Sequence, residues 1–203
     1  MAYQATEHTD QLRQANLENL LHKGHQLVAK SGFQNLSISK VTAAAGMASG
    51  NLYRYFDNKD ALAVAIFERA TEREIAAVFD SVNHTAAASV KIEMLLSAFC
   101  ERALANPKLA YALIAEPVSP AVESARLRYR GIWAERFAQV IETGINNKEF
   151  TQQPAMLAAV AIVGAMAEAV LHQANHKIIN RLATQPLVAF CLRGLGQGEA
   201  HGK

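Results

Sequence analysis

The stretch "GMASGNLYRYF", Gly46 to Phe56, decides how this chain is read. Two tyrosines and an arginine stand close together. That is too polar for a plain core and too aromatic for an idle surface. Gly46 suits a turn that needs positive φ, where a side chain would be strained. The spacing then predicts a short helix, roughly Ser49 to Tyr55. Leu52 and Phe56 lie four residues apart and anchor one face. Ser49, Asn51, Tyr53, Arg54 and Tyr55 are left on the other.

Upstream, Ser37 reads as the N-cap of a short helix that ends at Gly46. Two short helices joined by "AAAGMAS" have the dimensions of a helix-turn-helix. Ala43, Ala44 and Ala45 supply small side chains where the second helix would cross the first. Further upstream, Leu17, Leu20, Leu21, Gly24, Leu27 and Val28 repeat at helical spacing. That helix stops at Ser31-Gly32, a left-handed terminator.

Downstream, Asp57 or Asn58 caps a long helix beginning near Lys59. Apolar periodicity continues through Ile92–Ala103, a restart at Asn106-Pro107, and a long helix from Pro120 to about Asn147. Two more helices follow, at about Pro154–Gln173 and Thr184–Leu195. The stretch "ANHKIINRLATQ" between them is ambiguous. No period-2 strand is evident, so the expected class is all-α. A small three-helix module over 1–58 precedes a larger helical body over 59–203.

Composition sets outer bounds. Half of the 203 residues are hydrophobic and 19% are charged, with a net charge of +2. Nucleic-acid binding would therefore have to rest on a local patch, not on bulk charge. Cys100 and Cys191 form no metal spacing and no disulfide framework, which suits a reducing cytoplasm. The polar N-terminus shows no signal peptide. The apolar run Ala155–Ala167 reads as too short for a membrane span and suited to a buried helix. No G-x-S-x-G, phosphate loop or paired E-x-x-H occurs, so nothing supports an enzyme.

The polar face of the second short helix fits duplex DNA. Tyrosine and serine hydroxyls donate to phosphate oxygens; arginine pairs with phosphate or with guanine edges. Gly50 leaves room for close backbone approach. Ser39 and Lys40 open the preceding helix, where free N–H groups and the dipole favour an anion. Lys59 does the same at the head of the next. Taken singly, these residues also suit half-buried packing or a solvated surface.

The whole segment is more specific. "LLHKGHQLVAKSGFQNLSISKVTAAAGMASGNLYRYFDNKDAL" resembles, without a gap from Leu20 to Leu62, the N-terminal domain of the TetR family of bacterial transcriptional regulators. The likeness rests on Gly32-Phe33, Ser37, Val41, Ala45-Gly46, Gly50, Leu52-Tyr53, Tyr55-Phe56, Lys59 and Leu62. Departures are Gly24 and Thr42 in place of common alanines, and Ala48 in place of a common serine. Gly24 should cost its helix up to about 1 kcal/mol against alanine unless close packing needs it. The resemblance implies a homodimer formed through the last two helices. It also implies an unknown small-molecule effector held in the body, and a repressor released from its operator when that effector binds.

The body is less informative. Phe99, Tyr111, Trp133, Phe137 and Met166 come from several helices and either line an apolar ligand cavity or form plain core. Arg126, Arg128 and Arg130 read as a solvated basic face or as a source of one pocket arginine. Glu168, His172 and His176 have metal-compatible spacing, with an ordinary helical pair as the competing reading. No metal or other cofactor is expected.

Overall fold

A computed structural model describes residues 2–83, 85–175 and 184–196. Among these every regular element is helical. α1 spans Ala2–Ser31, α2 Ile38–Ala44, and a 3-10 helix Ser49–Arg54. The body helices are α3 Lys59–Phe79, α4 Ala88–Ala105, α5 Pro107–Ile114, α6 Pro120–Asn146, α7 Ala155–Asn175 and α8 Thr184–Gly194.

Local signals account for most boundaries. The Ser37 hydroxyl accepts from Lys40 N–H at 3.3 Å and starts α2. Asn58 Oδ1 accepts from Ala61 N–H at 2.9 Å, and Asn106 Oδ1 from Leu109 N–H at 3.2 Å. Of the two candidate caps for α3, Asn58 is the one used. Gly32 and Gly46 both take positive φ, at 76° and 70°. α1 extends far upstream of its apolar repeat, because Ala2–Lys23 holds no glycine or proline to stop it.

By internal contacts the chain falls into two compact units, residues 1–71 with 111–126 and residues 72–110 with 127–203. In the first, Leu20, Val28, Leu36, Val41, Leu52, Leu62 and Ile66 are buried. Gly24 is explained here. A Cβ at that position would lie 2.2 Å from Ile66 Cδ1, so alanine would fit only if the buried Ile66 side chain moved. Glu116 is also buried in this unit; its carboxylate accepts from the N–H groups of Phe33 (2.8 Å) and Gln34 (3.0 Å). Arg126 donates to the carbonyls of Leu113, Ala112 and Glu116 and pairs with Glu123. It is only 6% exposed, so it is a structural clamp on the α5–α6 corner, not part of a solvated basic face.

In the second unit α4 packs on α7 and α8. Glu149 caps the head of α4, accepting from Ala88 N–H and Ser89 N–H, each at 3.1 Å. Burial alone would raise its carboxyl, but these bonds outweigh that and hold it below the usual carboxylate range. Cys100 and Cys191 are buried as free thiols.

Two expectations need correction. Ala43 and Ala44 are exposed, not at the helix crossing. Val41 and Thr42 are the buried residues of α2, and the Thr42 hydroxyl lies 3.1 Å from that of Ser49. Threonine at this position thus ties α2 to the following helix, which alanine could not. The second correction concerns α7. The helix outruns its most apolar stretch, and Ala155–Gln173 is long and apolar enough to cross a membrane by length and composition. Only 22% of its most apolar 18-residue window is buried, so packing within the single chain leaves much of α7 uncovered.

Candidate nucleic-acid interface

The 3-10 helix is the centre of the site. Leu52 is fully buried and pins it to the core of the first unit. Phe56 is half-buried beside it. Tyr53 is 60% exposed, a large aromatic ring left in water. Ser49, Gly50, Asn51 and Arg54 are exposed, and Tyr55 is half-buried. A single short helix therefore separates one apolar anchor from a row of hydrogen-bonding side chains. A Cβ on Gly50 would meet nothing within 4 Å, so no neighbour in the chain requires glycine there.

The flanking residues share this exposure. Ser39 and Lys40 are exposed at the start of α2. The Ser39 hydroxyl lies 3.2 Å from that of Ser37, and Lys40 Nζ donates to the Asn35 carbonyl at 3.0 Å. Ser37 already occupies the Lys40 N–H, which leaves fewer free donors at the helix head than the bare sequence suggests. Lys59 is exposed at the first position of α3. Asn19 donates to the Ala45 carbonyl at 3.0 Å and holds the turn against α1. Sequence reasoning missed Asn19 because a lone polar residue in a long helix carries no local signal.

These residues sit within 20–66, the segment that matches the family model of "Bacterial regulatory proteins, tetR family". Residues 20–66 thus carry the N-terminal domain of the TetR family. Among curated relatives, the HTH-type transcriptional repressor NemR of Escherichia coli is 28% identical across 82% of the chain and 89% of the relative. The fatty acid metabolism regulator protein of Bacillus subtilis is 26% identical over 72 residues, which is 37% of its length. Among solved structures, B. subtilis FadR in complex with stearoyl-CoA aligns with a TM-score of 0.75 at 18% identity. That alignment covers 88% of this chain and 98% of that one. Reduced E. coli NemR aligns at 0.72 and 21%, over 87% and 95%. The TetR-like fold, an N-terminal helix-turn-helix followed by a helical body, is thereby established for this chain.

The candidate ligand residues do not all converge. Phe99, Trp133 and Phe137 do, joined by Phe79 of α3. Ring centroids lie 5.6 Å apart for Phe99–Trp133, 6.5 Å for Trp133–Phe137, and 5.7 Å from Phe79 to each of Trp133 and Phe137. Phe79 was legible only as one apolar position of a helix. Met166 is buried on α7. Tyr111 is 44% exposed and belongs to the other compact unit. A separate groove of about 260 Å³ lies between α7 and α8, lined by Leu157, Ala161, Ile162, Phe190, Cys191 and Gly194. It contains none of the five. Glu168 and His172 are exposed on α7, and His176 lies outside the described residues. Among the described residues no three possible ligands are grouped to hold a metal.

Proposed function

We propose that this protein is a ligand-responsive repressor that binds an inverted-repeat operator as a homodimer and is released by a small molecule. Residues 1–58 form its DNA-binding domain and 59–203 its ligand-binding and dimerisation domain. The observation that carries the reading is the split of the 3-10 helix between buried Leu52 and exposed Asn51, Tyr53 and Arg54. Tyr53 and Lys59 clamp phosphates, and Asn51 and Arg54 read base edges. Ser39, Lys40, Ser49 and Tyr55 complete the phosphate contacts, and Gly50 lets the backbone approach.

The homodimer forms through α7 and α8. Leu157 and Val160 on α7 and Phe190 on α8 are large apolar side chains left in water, an unfavourable surface unless another chain covers it. A two-fold pair places two recognition helices roughly 34–36 Å apart, one turn of B-DNA, so the operator is an inverted repeat. The effector lodges near Phe99, Trp133, Phe137 and Met166. Phe79, the last residue of α3, touches two of these rings, so a ligand among them pushes the helix that begins at Lys59. NemR and FadR lend this the precedent of regulators, the latter seen with stearoyl-CoA. The protein acts on the bacterial chromosome, in the cytoplasm.

Selection of bound sequences from random duplex DNA tests the reading. Enrichment of an inverted repeat is expected; no enrichment, with salt-independent retention, would overturn it. Once an effector is identified, ligand and operator must weaken each other's binding by the same factor. Equal ligand affinity with and without operator would leave a constitutive DNA-binding protein.

A further inference from the structure

Arg13 lies upstream of every residue assigned to the DNA face, and outside the segment 20–66 that matches the family. The upstream extension of α1 makes it part of a continuous helix. Its Nη2 donates to the Arg54 carbonyl at 3.4 Å, so the α1 side chain reaches the last residue of the 3-10 helix. Both arginines are exposed. The ion pairs among the described residues engage Arg69, Arg102 and Arg126, and none of them gives Arg13 or Arg54 a carboxylate partner. Asp10, one helical turn back on the same side of α1, does not pair with Arg13.

The Arg13 guanidinium is thus held at the edge of the 3-10 helix, where an anion would give its charge a partner. Capping one carbonyl at 3.4 Å is a weak use of a cation with five N–H donors. The DNA backbone that flanks the recognition helix supplies phosphates at this edge. We propose that Arg13 is a DNA phosphate contact, so that the interface extends beyond the helix-turn-helix onto the upstream part of α1. The inference rests on the reading of Asn51–Lys59 as the DNA face.

The test uses the full-length protein and a dye-labelled mixed-sequence duplex, with affinity measured across a salt series. Arg13→Ala is expected to weaken binding to every duplex by a similar factor. The slope of log affinity against log salt should fall by about 0.9 for each phosphate that the protein no longer neutralises. Arg13→Lys should restore the slope, because an ammonium also pairs with phosphate. Lys59→Ala serves as the reference. If it lowers the slope and Arg13→Ala does not, Arg13 touches no phosphate and the inference falls alone. A lowered thermal midpoint with unchanged slope would make Arg13 a structural cap and overturn the inference in the same way. If neither variant changes the slope, the DNA face itself is misassigned and the inference falls with it.

Discussion

Tyr53 and Leu52 are neighbours with opposite fates, one in water and one in the core. A 3-10 helix turns about 120° per residue, so adjacent side chains cannot share a face, and the burial of Leu52 commits Tyr53 outward. The same logic sorts the variants. Lys59→Ala should weaken all duplexes about equally and lower the salt slope by about one. Asn51→Ala or Arg54→Ala should instead relax preference at particular base pairs, at about 1–3 kcal/mol each. Binding-site selection on each variant separates these outcomes; parental behaviour from all of them would refute the face. The cysteines make a second case at this scale. Burial pushes both thiols up to about 11, and for Cys100 the nearby Cys191 adds to the rise. At neutral pH the thiolate is therefore scarce and shielded. Maleimide labelling of the native protein should be slow at both positions and become fast on unfolding. Rapid native labelling would contradict the burial.

At the scale of elements, the turn after α1 is held from a distance in sequence. Glu116 caps Phe33 and Gln34, and a Cβ on Gly32 would lie 2.5 Å from Glu116 Oε1. Glu116→Gln exchanges one acceptor for a donor facing an N–H group and should cost about 1–3 kcal/mol. Gly32→Ala adds about 1–2 kcal/mol of left-handed strain and displaces the same carboxylate. The two costs should not add, since both break one interaction. Urea unfolding of the single and double variants measures this, and additivity would show that the clamp is not shared. Glu149 gives a pH dependence. Its folded carboxyl titrates below the unfolded one, so its stabilisation is full above the unfolded value and disappears as pH falls through the folded value. Glu149→Gln should flatten part of the acid loss of stability. An unchanged profile would rule out a stabilising α4 cap.

For the whole molecule, the exposed face of α7 is the feature with the largest consequence. Leu157 is 67% exposed and Phe190 62%. Gly164 lies on the same exposed face, and a Cβ there would meet nothing within 4 Å. A large residue at 164 therefore fits the single chain but not a closely packed partner helix. Gly164→Arg should fold normally and run as a monomer, while the parent runs as a dimer in light scattering at micromolar concentration. A monomeric parent would refute the interface, and a dimeric variant would move it elsewhere.

Much of the architecture follows from short-range rules written in the chain. Glycines at 32 and 46 terminate elements because only they tolerate those φ values cheaply, and Ser37, Asn58 and Asn106 cap because their side chains reach the next N–H groups. The periodicity of Leu20, Leu21 and Val28 likewise marks its own face. What lay beyond the sequence was every approach between distant segments. Glu116 beneath the Gly32 turn, Arg13 beside Arg54, and Phe79 among Phe99, Trp133 and Phe137 all join residues with no local relation. Composition misled for Ala43 and Ala44 because an alanine-rich helix has no strong polar side to declare which face is wet. A helix's own residues determine that it forms and where it ends; only the packing of the other helices decides which of its faces remains for DNA or for a second chain.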